Sequence, residues 1–187
     1  IGHRYGADSQ EAADAFVRLD ATIERLLRLL DDRVGPGRWW LALTADHGVA
    51  PLPEHAARVG LEAGRVTEKD LRAAMRPPLE EGMLAGIVEG NLYLRGLPAA
   101  HPPGIDDVLS GRTRVAELVR EAVLAMPGVF RAYTRAQLLE GRVPDDAQGR
   151  GALASFDPIR SGDVVVQLRP FWTWGGPVPG TTHGQPW

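Results

Sequence analysis

Phe16, Leu19, Ile23, Leu26 and Leu30 recur three or four residues apart, and this single apolar stripe predicts an amphipathic helix from Asp8 to about Arg33. Asp8 followed by Glu11 fits a capping box, in which each side chain satisfies an orphan amide of the first turn. Gly35 and Pro36 end the helix. The pattern then changes. Trp39-Trp40-Leu41-Ala42-Leu43-Thr44-Ala45 is nearly continuously apolar, as expected of a strand buried on both faces in a parallel sheet covered by helices. A helix feeding such a strand predicts an α/β core.

From Pro51 to about Pro179 proline and glycine are frequent and the apolar runs shorten. Thr67 to Met75 predicts a helix with Thr67 as cap and Asp70 at the third helical position. Ile87 to Leu94 alternates in part and predicts one strand. Arg112 to Met126 predicts an amphipathic helix with Val115, Leu118, Val119, Ala122 and Val123 on one side. Val129 to Tyr133 predicts a strand leading to a short helix at Thr134 to Leu139. Gly141 to Ser155 is expected to be a polar loop, and Asp163 to Leu168 another β-branched strand. The chain therefore divides into residues 1–50, part of an α/β core; residues 51–179, an inserted α+β subdomain with an antiparallel sheet and helices on one face; and residues 180–187, a segment returning to the core. It starts at Ile1 and stops at Trp187 without terminal signals, and is expected to be a piece of a longer protein.

Composition narrows the chemistry. The chain has 187 residues, 44% hydrophobic and 24% charged, the balance of an ordinary globular domain. It has 0 cysteines, which excludes disulfides, thiolate metal sites and cysteine nucleophiles. A net charge of -3 argues against binding a nucleic-acid duplex. No apolar run approaches the ~20 residues that span a bilayer.

The candidate chemistry starts at Asp46-His47-Gly48, directly after the run at 39–45. Adjacent strand residues point to opposite faces, so Asp46 and His47 converge on one ion only if the chain leaves the strand there, and Gly48 frees the backbone for such a turn. Ligands of open α/β sheets gather beyond the carboxyl ends of the strands, where this pair falls. A carboxylate beside an imidazole suits zinc or manganese, although a capped strand end explains the triplet equally well. His3 and His183 each sit beside glycine in expected loops, from which a side chain can reach a site. His55 and His101 are assigned to surface loops. Phe171-Trp172-Thr173-Trp174 is expected to serve packing, with an aromatic ligand rim as the alternative.

Taken together, Ile1-Gly2-His3-Arg4-Tyr5-Gly6, Ser9-Gln10-Glu11, Arg18-Leu19-Asp20, Leu43-Thr44-Ala45-Asp46-His47-Gly48 and Thr182-His183-Gly184 resemble the alkaline phosphatase superfamily, within it the type I phosphodiesterase/nucleotide pyrophosphatase branch. The resemblance implies an alkaline-phosphatase-like core that binds two zinc ions at the carboxyl edge of a parallel sheet. It implies that Asp46 and His47 ligate the zinc that activates the nucleophile, and that His3 and His183 ligate the zinc that binds the substrate phosphate. The family's Thr or Ser nucleophile and its remaining carboxylate ligands lie upstream of the position of Ile1. The resemblance thus implies a hydrolase of small-molecule phosphate esters as the parent, commonly periplasmic or secreted. It also implies a fragment that is inactive and holds zinc weakly or not at all. Within the superfamily, sulfatases with one calcium and phosphoglycerate mutases with two manganese ions are the alternatives. Outside it, the alternative is a non-catalytic α/β interaction domain, with the fragment open to self-association.

Overall fold

The computed structural model describes residues 1–76, 83–95, 106–175 and 180–183, with residues 106–112 described by backbone alone. In chain order the elements are α1 (Gly2–Tyr5), α2 (Gln10–Arg33), α3 (Pro53–Arg58), β1 (Gly64–Thr67), α4 (Glu68–Met75), β2 (Leu84–Val88), β3 (Asn91–Leu94), α5 (Asp106–Leu124), β4 (Val129–Thr134), α6 (Arg135–Leu139), α7 (Ala147–Ser155), β5 (Val164–Leu168) and β6 (Trp172–Gly175). The architecture is mixed α/β, with a parallel pair β1-β6 and an antiparallel sheet in the order β2-β3-β5-β4.

The antiparallel sheet carries the core because its strands alternate. Val164, Val166 and Leu168 point to one face, where they join Leu92, Leu94, Ala132 and the buried side of α5, Ala116, Val119 and Val123. Leu71 and Met75 of α4 complete this cluster, and Trp172 and Trp174 pack against it, which agrees with a packing role for the aromatic run. On the opposite face Val165 joins a smaller cluster with Tyr133, Leu138 of α6 and Ala152 of α7. Helices therefore cover both faces, not the single face expected.

Local chemistry explains most element boundaries. Thr67 caps α4 in a full capping box with Asp70, and Thr134 caps α6 in the same way with Gln137. The cap of α2 is Ser9, whose hydroxyl accepts from the Ala12 amide, in place of the expected Asp8–Glu11 box. The strand expected at 87–94 is a hairpin: Val88 pairs with Asn91 across the two-residue loop Glu89-Gly90, and both loop residues have positive φ, at 44 and 83 degrees. The loop expected at 141–155 contains α7, whose start is fixed by Asp146 accepting from the Gly149 amide at 2.8 Å.

The largest difference concerns 39–45. The run forms no strand and carries no ladder, and Trp40 is 100% and Leu43 74% exposed. A buried strand needs neighbours on both edges, and no described strand lies beside this run, so its apolar side chains face outward. Helix α2 is left in the same position. Phe16 is 70% exposed, and Leu19 and Leu26 are exposed along the stripe that was expected to be buried. His55 lies on α3, exposed, and not in a loop; His101 lies outside the described residues.

Candidate metal centre

Three segments remote in sequence meet at one end of the molecule. Residue 3 sits on the one-turn helix α1, not in the loop expected, and its carbonyl accepts from the Thr181 amide at 2.6 Å. Thr182 accepts from the Ala50 amide at 3.1 Å, so residues 180–183 lie between the start of the chain and the stretch following His47. Gly180 makes this close approach possible: with φ at 153 degrees, a Cβ there would sit 2.5 Å from the His3 carbonyl oxygen.

This lacing brings three imidazoles together. The ring centroids lie 4.1 Å apart for His47 and His183, 5.1 Å for His3 and His47, and 5.3 Å for His3 and His183. One ring nitrogen of each lies within 4.8 Å of those of the other two. The rings are also oriented. Nδ1 of His3 faces the Thr181 carbonyl at 2.9 Å, Nδ1 of His47 the Gly48 carbonyl at 2.8 Å, and Nδ1 of His183 the Glu89 carboxylate at 3.2 Å. An oxygen acceptor at Nδ1 places the proton there and leaves Nε2 with its lone pair, the arrangement of a metal-ligating histidine.

Asp46 stands beside this trio but outside it, with its side chain 87% exposed. Its Oδ1 accepts from the His47 amide at 2.9 Å. That amide, and secondarily the His47 ring, hold its carboxyl below the usual carboxylate range. Its Oδ2 lies 3.5 Å from His47 Nε2. Three imidazole nitrogens with a carboxylate oxygen beside them are donors that suit a divalent metal such as zinc or manganese, so the set fits such an ion. Two residues of the site escape a sequence reading. Gly180 is masked by the many glycines around it. Glu89 is masked by merging two strands into one, because Glu-Gly lacks the Asn, Asp or Gly that usually marks the first position of a two-residue hairpin loop.

The model of the family described as type I phosphodiesterase / nucleotide pyrophosphatase matches residues 1–184. The chain belongs to this family. Among curated family relatives, alkaline phosphatase PhoD of Zymomonas mobilis is 29% identical over 205 aligned positions, which cover 100% of this chain and 34% of that protein. A protein named calcium-transporting ATPase, from Myroides odoratus, is 27% identical over 191 positions, 98% of this chain and 33% of its own length. The chain thus spans about a third of the curated relatives it matches. The crystal structure of wild-type alkaline phosphatase PafA superimposes with a TM-score of 0.78 at 22% identity, over 98% of this chain and 34% of that one, which establishes the shared α/β fold.

Proposed function

We propose that this chain is the metal-bearing part of a longer zinc-dependent hydrolase of small-molecule phosphoric esters, in which His3, Asp46, His47 and His183 serve a two-metal site. The observation that carries this is the convergence of three imidazoles, each with Nδ1 facing an oxygen and together able to offer three nitrogens to one ion. Family membership supplies the ester chemistry. When bound, zinc would lower the pKa of a hydroxyl or water and draw charge from phosphoryl oxygens. His3 and His183, tied through Thr181, form one rigid half of the donor set; Asp46 and His47, on the exit from 39–45, form the other. The division of these residues between two ions, and the export of the parent to the periplasm or medium, belong to the same proposal.

The Thr or Ser nucleophile belongs, in this account, to a part of the parent outside residues 1–187. The isolated chain then turns over no ester and holds zinc weakly, because neutral imidazoles and one solvent-facing carboxylate leave the ion short of charge. The exposed stripe of α2 and the bare edge of 39–45 support a surface made to meet further structure. The test measures metal content and p-nitrophenyl phosphate hydrolysis of the intact parent. Two zinc ions per chain and loss of turnover in His3→Ala, His47→Ala and His183→Ala are expected. Calcium with sulfate-ester hydrolysis, two manganese ions with mutase activity, or robust turnover by the 187-residue chain itself would overturn the proposal.

A further inference from the structure

The geometry points to Glu89 as a positioning residue for the metal centre: its carboxylate, held out on the β2–β3 turn, fixes the tautomer and orientation of the His183 ring. For the identity of what His183 holds, this rests on the function proposed above. Two independent observations support it. The first is contact. Glu89 Oε1 lies 3.2 Å from His183 Nδ1, and among the described residues it is the only carboxylate facing an Nδ1 of the trio; His3 and His47 face backbone carbonyls instead. His183 is also the only one of the three whose orienting partner comes from the antiparallel sheet and not from a neighbouring loop.

The second is the backbone. Glu89 has φ of 44 degrees and Gly90 has φ of 83 degrees in a two-residue loop, the combination of a type I′ turn. That turn favours Asn, Asp or Gly at its first position, because a longer side chain gains nothing there and a Cβ is strained at positive φ. A glutamate is a poor choice for the turn, and such strain persists where the residue serves something beyond it. What it gains here is reach: the extra methylene brings the carboxylate to His183. The turn itself is firmly seated, with Val166 N–H donating to the Gly90 carbonyl at 2.8 Å and Asn91 in register with Val165. The sheet thereby holds the backbone from which the carboxylate reaches out, and a carboxylate on the far nitrogen of a ligating imidazole raises its basicity and locks its plane.

The experiment compares wild type, Glu89→Asn and Glu89→Gln. The His183 tautomer is read from long-range nitrogen–proton NMR at about pH 8, where an ordinary imidazole is neutral. Zinc affinity is read from histidine shifts during titration with zinc chloride, and thermal stability is measured alongside. Wild type is expected to show Nδ1–H at His183. Glu89→Asn suits the turn but falls short of the ring, so it should keep or raise the melting temperature while mixing the tautomers and weakening zinc by roughly 10- to 100-fold. Glu89→Gln keeps both reach and an acceptor oxygen, and should retain the tautomer with only a few-fold loss of affinity. An Nε2–H tautomer in wild type overturns the assignment. So does Glu89→Asn with unchanged tautomer, or a zinc affinity that falls only in step with the melting temperature. Absence of any zinc-induced shift in wild type would instead overturn the metal reading, and the tautomer comparison decides the role of Glu89 without metal.

Discussion

Gly180 and Asp146 show how single residues set the geometry around the site and the sheet. At Gly180 a methyl group would press into the His3 carbonyl, from a backbone conformation that other residues rarely adopt. Gly180→Ala should cost about 1–3 kcal/mol and release residues 181–183 from α1, so that zinc-induced shifts at His3 and His183 vanish together; thermal melting and zinc titration check both. Asp146 accepts two parallel bonds from Arg131, at 2.7 and 2.8 Å, while also capping α7. The Arg131 guanidinium, with the Gly149 amide second, holds its carboxyl well below the usual carboxylate range. Because the folded value is the lower one, its contribution is complete above the ordinary aspartate pKa of about 3.9 and is lost as pH falls from there towards the folded value. Asp146→Asn keeps a cap but removes the charge, so its melting temperature should depend less on pH in that acid range than that of wild type. The sequence singled out His3, Asp46, His47 and His183 because they resemble a family pattern; the structure brings the three histidines together and leaves Asp46 beside them. Glu89 and Gly180 were not singled out, because their roles arise from a turn and a close approach that join segments remote in sequence.

At the scale of elements, legibility followed the strength of local signals. Caps and periodic stripes placed α2, α4, β4 and β5 nearly at their observed bounds, since side-chain hydrogen bonds and alternation act within a few residues, whereas α5 begins at Asp106, six residues before the expected Arg112. Helix α7 was missed because it has no apolar stripe and contains two glycines, and its start depends on the aspartate that pairs with Arg131. The run at 39–45 reads as a buried strand because its composition is that of one, but a ladder is a property of neighbours and not of composition. Two substitutions test the elements. Thr67→Ala removes the hydroxyl that caps α4 and should destabilise the fold by about 1 kcal/mol. Leu92→Ala empties a fully buried position where β3 meets α5, and should cost roughly 2–5 kcal/mol. Chemical denaturation measures both.

The whole molecule is lopsided. Its antiparallel sheet is covered on both faces, whereas α2 and the segment 39–45 expose Phe16, Val17, Trp40 and Leu43 to solvent. Such a surface should draw copies of the chain together, and Phe16→Glu combined with Leu26→Glu should shift gel-filtration elution towards the monomer. The histidine trio lies where the two regions join, fixed from the sheet side by Glu89 and from the α1 side by Thr181. That joint placement makes the metal centre the claim on which the functional account stands. The most direct measurement of it is zinc K-edge X-ray absorption on the zinc-loaded chain. The account predicts nitrogen scatterers at about 2.0–2.1 Å with the multiple scattering of imidazole rings, lost when His3, His47 and His183 are replaced by alanine. A shell of oxygen alone, unchanged in that triple variant, would contradict it.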